Sequence, residues 1–235
     1  MGNDNIKVSA SILSANFLTL GDDIAKVESA GVDSLHLDVM DNHMAPSLSF
    51  GPPVIKPIRG ITNLPLDAHL MIDAPWMFFD AYIQCDVNEI CFHIEAYDTA
   101  AVKHDSILDQ SRTVQHVDYD RLQNDISYLN SKGIKPGITI NPNTNTDVLL
   151  PILPNVDSVL IMSVHPGFSG QSFIQDAVDR VAQVRRHFSG EIKVDGGVND
   201  TNAHQLIQAG ATVLISASYL FASPNYKTAV AALKQ

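Results

Sequence analysis

Cysteine is scarce in this chain of 235 residues: there are two, Cys85 and Cys91. Two thiols are too few for a disulfide framework, and no Cys-x-x-Cys motif accompanies them, so both are expected to be reduced and structural, as in a reducing compartment. Positive charge is also short, with 15 Lys and Arg against 26 Asp and Glu and a formal net charge of −11. Nucleic acid and anionic membrane surfaces reward a basic face, so neither is expected as a partner. An anionic small substrate would need a local device to hold it. Long apolar runs are missing too: none approaches the roughly 18 residues of a membrane span, and "MGNDNIKVSASILSAN" has no cationic segment leading into an apolar one. "MGNDNI" opens like a myristoylation signal but has Ile6 where Ser or Thr is required. The expectation is a cytoplasmic protein.

What is present is apolar and periodic. Hydrophobic residues make up 45% and charged residues 17%, enough to bury a sizeable core in one domain spanning 1–235. Short runs rich in Val, Ile and Leu recur: "KVSASIL", "SLHLDVM", "LPLDAHLM", "EICFHIEA", "KPGITI", "SVLIMSV", "EIKVDGGV" and "TVLISAS". Segments with helical spacing lie between them, such as Leu20, Ile24, Val27 and Ala30 before Gly31, or Val178, Val181 and Val184 before Gly190. A helix is expected over Arg121 to Lys132, and another in the tail "NYKTAVAALKQ". Eight alternating units predict an α/β fold, a (β/α)8 TIM barrel, with a doubly wound open sheet as the alternative. The connection from the fourth strand to the helix after it, around 97–120, is enlarged; long loops of this kind sit on a barrel's catalytic face and can shape access to it.

Strand alternation gathers polar side chains. In "SLHLDVM", His36, Asp38 and Met40 share one face, and in "LDAHLM" Asp67, His69 and Met71 do so, while "KVDGG" presents Asp195 as its strand ends. In a barrel these positions converge at the C-terminal rim, where active sites form. One polar residue at a strand end is commonly a satisfied cap. Two histidines and two aspartates from three strands are costly to leave unpaired, whereas one divalent cation neutralises the carboxylates and takes neutral imidazoles as ligands. Mixed His and Asp donors suit Zn, Fe, Mn or Co.

A second theme is phosphate. "HPGFSGQSF" leaves the sixth strand through a glycine-rich turn expected to lead into a helix, and "DGGVND" and "SASYLF" end the last two strands. Barrels commonly hold a phosphate on such loops through backbone amides and the start of a short helix, which requires no net positive charge.

The sequence resembles the ribulose-phosphate 3-epimerase family along nearly all its length, through "SASILSANF", "LHLDVMDNHMAPSLSFGPPV", "LPLDAHLMI", "FHIEA", "IMSVHPGFSGQSFI" and "VDGGVN" in that order. The resemblance implies a barrel of the ribulose-phosphate-binding type that inverts a carbinol carbon beside the ketone of a phosphorylated ketose, using one divalent metal ion. It implies His36, Asp38, His69 and Asp195 as metal ligands, with Asp38 and Asp195 also the two acid/base groups. It places Ser11, His69, Met40, Met71 and Met162 against the substrate, and Gly167, Phe168, Ser169, Gly170, Gly196, Gly197, Ala217 and Ser218 at the phosphate. A homo-oligomer is implied as well.

Several positions depart from the family's usual pattern. Asn42 stands where Gly is typical, Ser47 where Asn is usual, and His165 where Asn commonly precedes Pro-Gly; Ser169 and Ala217 add a Cβ at sites that are often Gly. These leave the catalytic set intact and bear on substrate choice, so a ketohexose 6-phosphate such as allulose 6-phosphate is the alternative to D-ribulose 5-phosphate. Barrels of the decarboxylase and hexulose-phosphate synthase type carry Asp-x-Lys on the third strand, where this chain has Asp67, Ala68 and His69. A non-catalytic sugar-phosphate binder on the same scaffold is the remaining rival, and loss of a ligand or an acid/base residue would be its mark.

Overall fold

The computed structural model describes residues 6–100, 114 and 116–235. Eight parallel strands close into a barrel in chain order: β1 Lys7–Ser11, β2 Ser34–Met40, β3 Leu66–Met71, β4 Glu89–His93, β5 Lys135–Ile140, β6 Ser158–Met162, β7 Glu191–Asp195 and β8 Val213–Ser216, with β1 pairing β8. The helices are α1 Leu20–Ser29, α2 Pro52–Arg59, α3 Phe79–Ile83, α4 Tyr119–Ser131, α5 Ala177–Arg185, α6 Ala203–Ala209, α7 Ser218–Phe221 and α8 Tyr226–Leu233. Among the described residues, no helix is long and apolar enough to cross a membrane.

Local chemistry sets the element ends. Asp118 accepts the Arg121 amide and starts α4, and Asn225 accepts the Thr228 amide and starts α8, each satisfying a helix N–H that would lack a partner. Between β5 and β6 the expected helix is replaced by two 3-10 turns, Thr146–Leu149 and Leu153–Asn155. Pro151 and Pro154 remove backbone donors there and block a continuous helix.

The strands divide their side chains between two environments. Leu35, Leu37 and Val39 of β2 face outward into the helix layer and belong to the main apolar core, while His36 and Asp38 between them face the barrel axis and are equally buried. The core also packs Phe92 of β4 against Phe79 and Tyr97, with ring centroids 5.3 and 5.7 Å apart. Cys85 and Cys91 are both free and buried.

The enlarged connection after β4 starts and ends in a short antiparallel pairing. Asp98 bridges Val117, and the Thr99 amide donates to the His116 carbonyl. The part of this excursion at 101–113 and 115 lies outside the described residues.

Candidate active site

Strand register builds the site. Ser11 pairs with His36, His36 with Asp67, Asp38 with His69, and Met162 with Asp195. His36 Nε2 lies 3.3 Å from His69 Nδ1, 3.4 Å from Asp38 Oδ1 and 4.0 Å from Asp195 Oδ2, and His69 Nδ1 lies 3.2 Å from that same Asp38 oxygen. His36, Asp38, His69 and Asp195 thus each bring a donor atom within 4.8 Å of the other three, forming a group that could hold a metal ion.

The outward ring nitrogens decide which tautomers fit. His36 Nδ1 is 3.0 Å from Asp67 Oδ2; an ionised carboxylate only accepts, so Nδ1 carries the hydrogen and a neutral ring turns its Nε2 lone pair inward. His69 Nε2 is 2.9 Å from His93 Nε2, and His93 Nδ1 is 3.2 Å from Glu95 Oε2. Glu95 also takes the Asn141 amide and the Thr144 hydroxyl. Running outward from His69, the chain of bonds is N–H to N, then N–H to carboxylate, which leaves the His69 Nδ1 lone pair inward as well. Two imidazole lone pairs and two carboxylates then face one another within 4.8 Å, an arrangement that repels itself unless a cation or extra protons sit between them. The donor set fits a divalent metal.

The protonation states of the metal-free site follow from its surroundings. Burial alone would lift the Asp38 carboxyl, but His36 and His69 outweigh it and hold Asp38 well below the usual carboxylate range. Its Oδ2 also accepts a 2.5 Å bond from the Ser11 hydroxyl. Asp195 goes the other way: burial, followed by the nearby Asp38 charge, pushes it up to about 7. Burial disfavours a charged His36, yet Asp38 and Asp67 prevail and raise it well above an ordinary histidine. His69, for which burial dominates, falls to about 4.

Comparison with known proteins gives the lineage. The model of the ribulose-phosphate 3-epimerase family matches residues 7–114 and 109–221. This chain belongs to that family. It is 34% identical to the ribulose-phosphate 3-epimerase of Bacillus subtilis, covering 97% of this chain and 98% of that one. It is 37% identical to the chloroplastic ribulose-5-phosphate-3-epimerase of Arabidopsis thaliana (98% and 76% covered) and 36% identical to the Escherichia coli enzyme (95% and 92%). Solved structures similar in fold alone include a tryptophan synthase α-subunit from Pyrococcus furiosus, at TM-score 0.65 and 13% identity with 97% of each chain covered. Phosphoribosylanthranilate isomerase from Thermotoga maritima is another, at TM-score 0.61 and 13% identity with 97% and 95% covered.

The remaining positions that the epimerase family implies gather around one cleft at the barrel mouth. Ser11, Asp38 and Asp195 line it, and so do Met40, Met71 and Met162. All of Gly167, Phe168, Ser169 and Gly170 line it, as do Gly196, Gly197, Ala217 and Ser218. His36 and His69 have no exposed surface and do not line it. The loop after β6 differs from expectation: α5 starts only at Ala177, so no helix N-terminus follows the glycine-rich turn directly and the helix dipole does not act there. The loop is braced instead by Gln171, whose side-chain amide donates to the carbonyls of His165 and Phe168. The loop after β8 does run straight into a short helix, α7.

Gly196 and Gly197 answer to packing as well as to any ligand. Both take positive φ, 116° and 64°. A Cβ would meet the Val164 amide nitrogen at 2.8 Å on Gly196 and that of Phe173 at 2.9 Å on Gly197, so only glycine lets the end of β7 close against the loop after β6. Asn42, a departure from the family pattern, sits at φ 62°, a conformation that Asn tolerates better than other side chains. Its amide donates to the Ser47 carbonyl, which ties the two departures into one turn.

Sequence reasoning found the four-residue group and missed what stands behind it. His93 and Glu89 lie on the inward face of β4, and Lys193 on the inward face of β7, all buried. The period-two rule that exposed His36 and Asp38 selects them too, once it is applied along "EICFH" and "EIKVD".

Proposed function

We propose that the chain interconverts D-ribulose 5-phosphate and D-xylulose 5-phosphate by inverting C3, with His36, Asp38, His69 and Asp195 holding one divalent ion, Zn, Fe, Mn or Co. The observation that carries this reading is a pair of carboxyls, Asp38 and Asp195, that come from different strands to one four-donor centre and both line the cleft. Inversion beside a ketone requires two such groups. Removing the C3 proton gives a planar enediolate, and a proton returned to the same face regenerates the starting sugar. One group must take the proton on one face while another delivers a proton on the opposite face.

Asp38 on β2 and Asp195 on β7 reach the cleft with β8 and β1 between them, so they approach a bound sugar from different sides. In one direction Asp38 accepts the C3 proton and Asp195 relays a solvent-derived proton to the opposite face; in the reverse direction the roles exchange. The Ser11 hydroxyl steadies Asp38 and borders the same cleft. Met40, Met71 and Met162 supply apolar, polarisable walls that keep bulk water from the carbanionic centre. A divalent ion bound by the four side chains would supply Lewis acidity toward the negative charge developing on the substrate oxygens. The phosphate is assigned to Gly167, Phe168, Ser169, Gly170, Gly196, Gly197, Ala217 and Ser218, where backbone amides can bind an anion in an acidic protein. Family membership also supports a homo-oligomer.

The test is turnover of the purified, metal-loaded chain on D-ribulose 5-phosphate and, in parallel, on allulose 6-phosphate, with products resolved by chromatography. Xylulose 5-phosphate forming faster than the hexulose epimer is the expected result. The reverse order reassigns the substrate to a ketohexose 6-phosphate, and no product from either with metal present contradicts the reading.

A further inference from the structure

Behind the four-residue group lies a set of buried charges that the proposed reaction does not use. Lys193 Nζ is 2.7 Å from Asp67 Oδ2 and 2.7 Å from Glu89 Oε2. Lys193, Asp67 and Glu89 are all buried, and none lines the cleft. Asp67, Glu89 and Cys91 lie close enough together to suggest a second cation site. The ammonium of Lys193 already fills that place, with Cys91 Sγ 3.8 Å away.

Ion groups buried this deeply are rarely a gain in stability over apolar residues of similar size, since desolvation offsets their attraction. Their arrangement points to another use. Asp67 Oδ2, which takes Lys193, also accepts from His36 Nδ1 at 3.0 Å. Asp67 Oδ1 has no hydrogen-bond partner among the described residues, so the carboxylate is oriented by Lys193 on one side and His36 on the other. Glu89 takes the same ammonium and accepts from the Ser158 hydroxyl and the Cys91 thiol, not from His36.

We propose that Asp67 is a positioning residue for metal capture: it locks His36 in the tautomer and ring orientation that aim Nε2 at the metal point, and Lys193 holds Asp67 in place to do so. This rests on the metal-site reading above. Carboxylates placed behind ligating histidines fix ring orientation and raise ligand basicity, and removing one costs about 10–100-fold in metal affinity. Asp67 and Glu89 therefore separate two explanations. Both are salt-bridge partners of Lys193 at the same distance, and only Asp67 reaches His36.

The experiment is the Zn²⁺ dissociation constant of the full chain, measured by competition with a chromogenic chelator, for wild type, Asp67→Asn and Glu89→Gln. The expected result is a loss of about 10–100-fold for Asp67→Asn and little change for Glu89→Gln. Equal affinities in all three, or equal losses in both variants, would overturn the inference while leaving the metal site standing. Failure of the wild type to bind Zn²⁺ would overturn both. ¹⁵N-histidine NMR of Zn²⁺-loaded wild type gives an answer that needs no variant: His36 Nδ1 must appear as a protonated, pyrrole-type nitrogen, and a pyridine-type Nδ1 contradicts the proposal.

Discussion

Asp38→Asn and Asp195→Asn each lower epimerisation by about 10²–10⁴-fold from the lost proton transfer alone, and by more where metal is lost as well. Asn keeps the shape of Asp but can neither accept a proton as a base nor return one as an acid, so a single substitution stops inversion in both directions. Metal content measured on the same samples by elemental analysis separates the two contributions. The variants should differ in their metal-free behaviour. Asp195→Asn removes a group that carries a proton up to about 7, whereas Asp38→Asn removes a carboxylate held ionised by His36 and His69 and bonded by Ser11. A rate near wild type in either variant contradicts the two-base scheme.

Stripping the metal is the second large effect: chelation abolishes turnover and added Zn²⁺ or Mn²⁺ restores it. The pH dependence of binding carries a sign that follows from the site. In the metal-free chain Asp195 holds a proton up to about 7, and His36 stays cationic above the usual histidine range. A metal ion needs the Asp195 carboxylate and the His36 Nε2 lone pair, so it must displace both protons. Affinity accordingly tightens as pH rises toward neutrality and weakens as it falls, by about tenfold per pH unit for each proton displaced. His69 adds little to this slope above pH 5, because burial already holds it neutral, with a pKa of about 4. Calorimetric titration with Zn²⁺ in buffers of different ionisation enthalpy measures the protons released directly. Affinity independent of pH between 5 and 7 would contradict the assignment of these side chains as ligands.

Much of this was legible in the sequence, because a barrel strand converts spacing into geometry with few intermediates. His36 and Asp38, two residues apart on β2, had to share a face, and parallel register then placed Asp38 beside His69. The helix expected over Arg121 to Lys132 is present as α4, Tyr119–Ser131; it begins two residues earlier because Asp118 caps it. Other features depend on contacts across the barrel that no local pattern records. Lys193 meets Asp67 although the two are 126 residues apart in the chain. The lysine missing from β3, which counted against a decarboxylase-type barrel, is thus supplied to Asp67 from β7, but it is sealed from the cleft and presents no group to a substrate. The loop after β6 misled for a related reason. Its glycines suggested a turn directly into a helix, whereas Gly196 and Gly197 pack against this loop and α5 begins only at Ala177.

In the two-base scheme this centre removes the C3 proton on one face of a ketose phosphate and returns a solvent-derived proton on the other. The deciding measurement is NMR of D-ribulose 5-phosphate incubated in D₂O with the metal-loaded chain, and in parallel with chelator. Deuterium at C3 of the xylulose 5-phosphate formed, and its loss when the metal is removed, are the expected results. Xylulose 5-phosphate that keeps its original C3 hydrogen, or deuterium entry unaffected by chelation, would contradict the scheme.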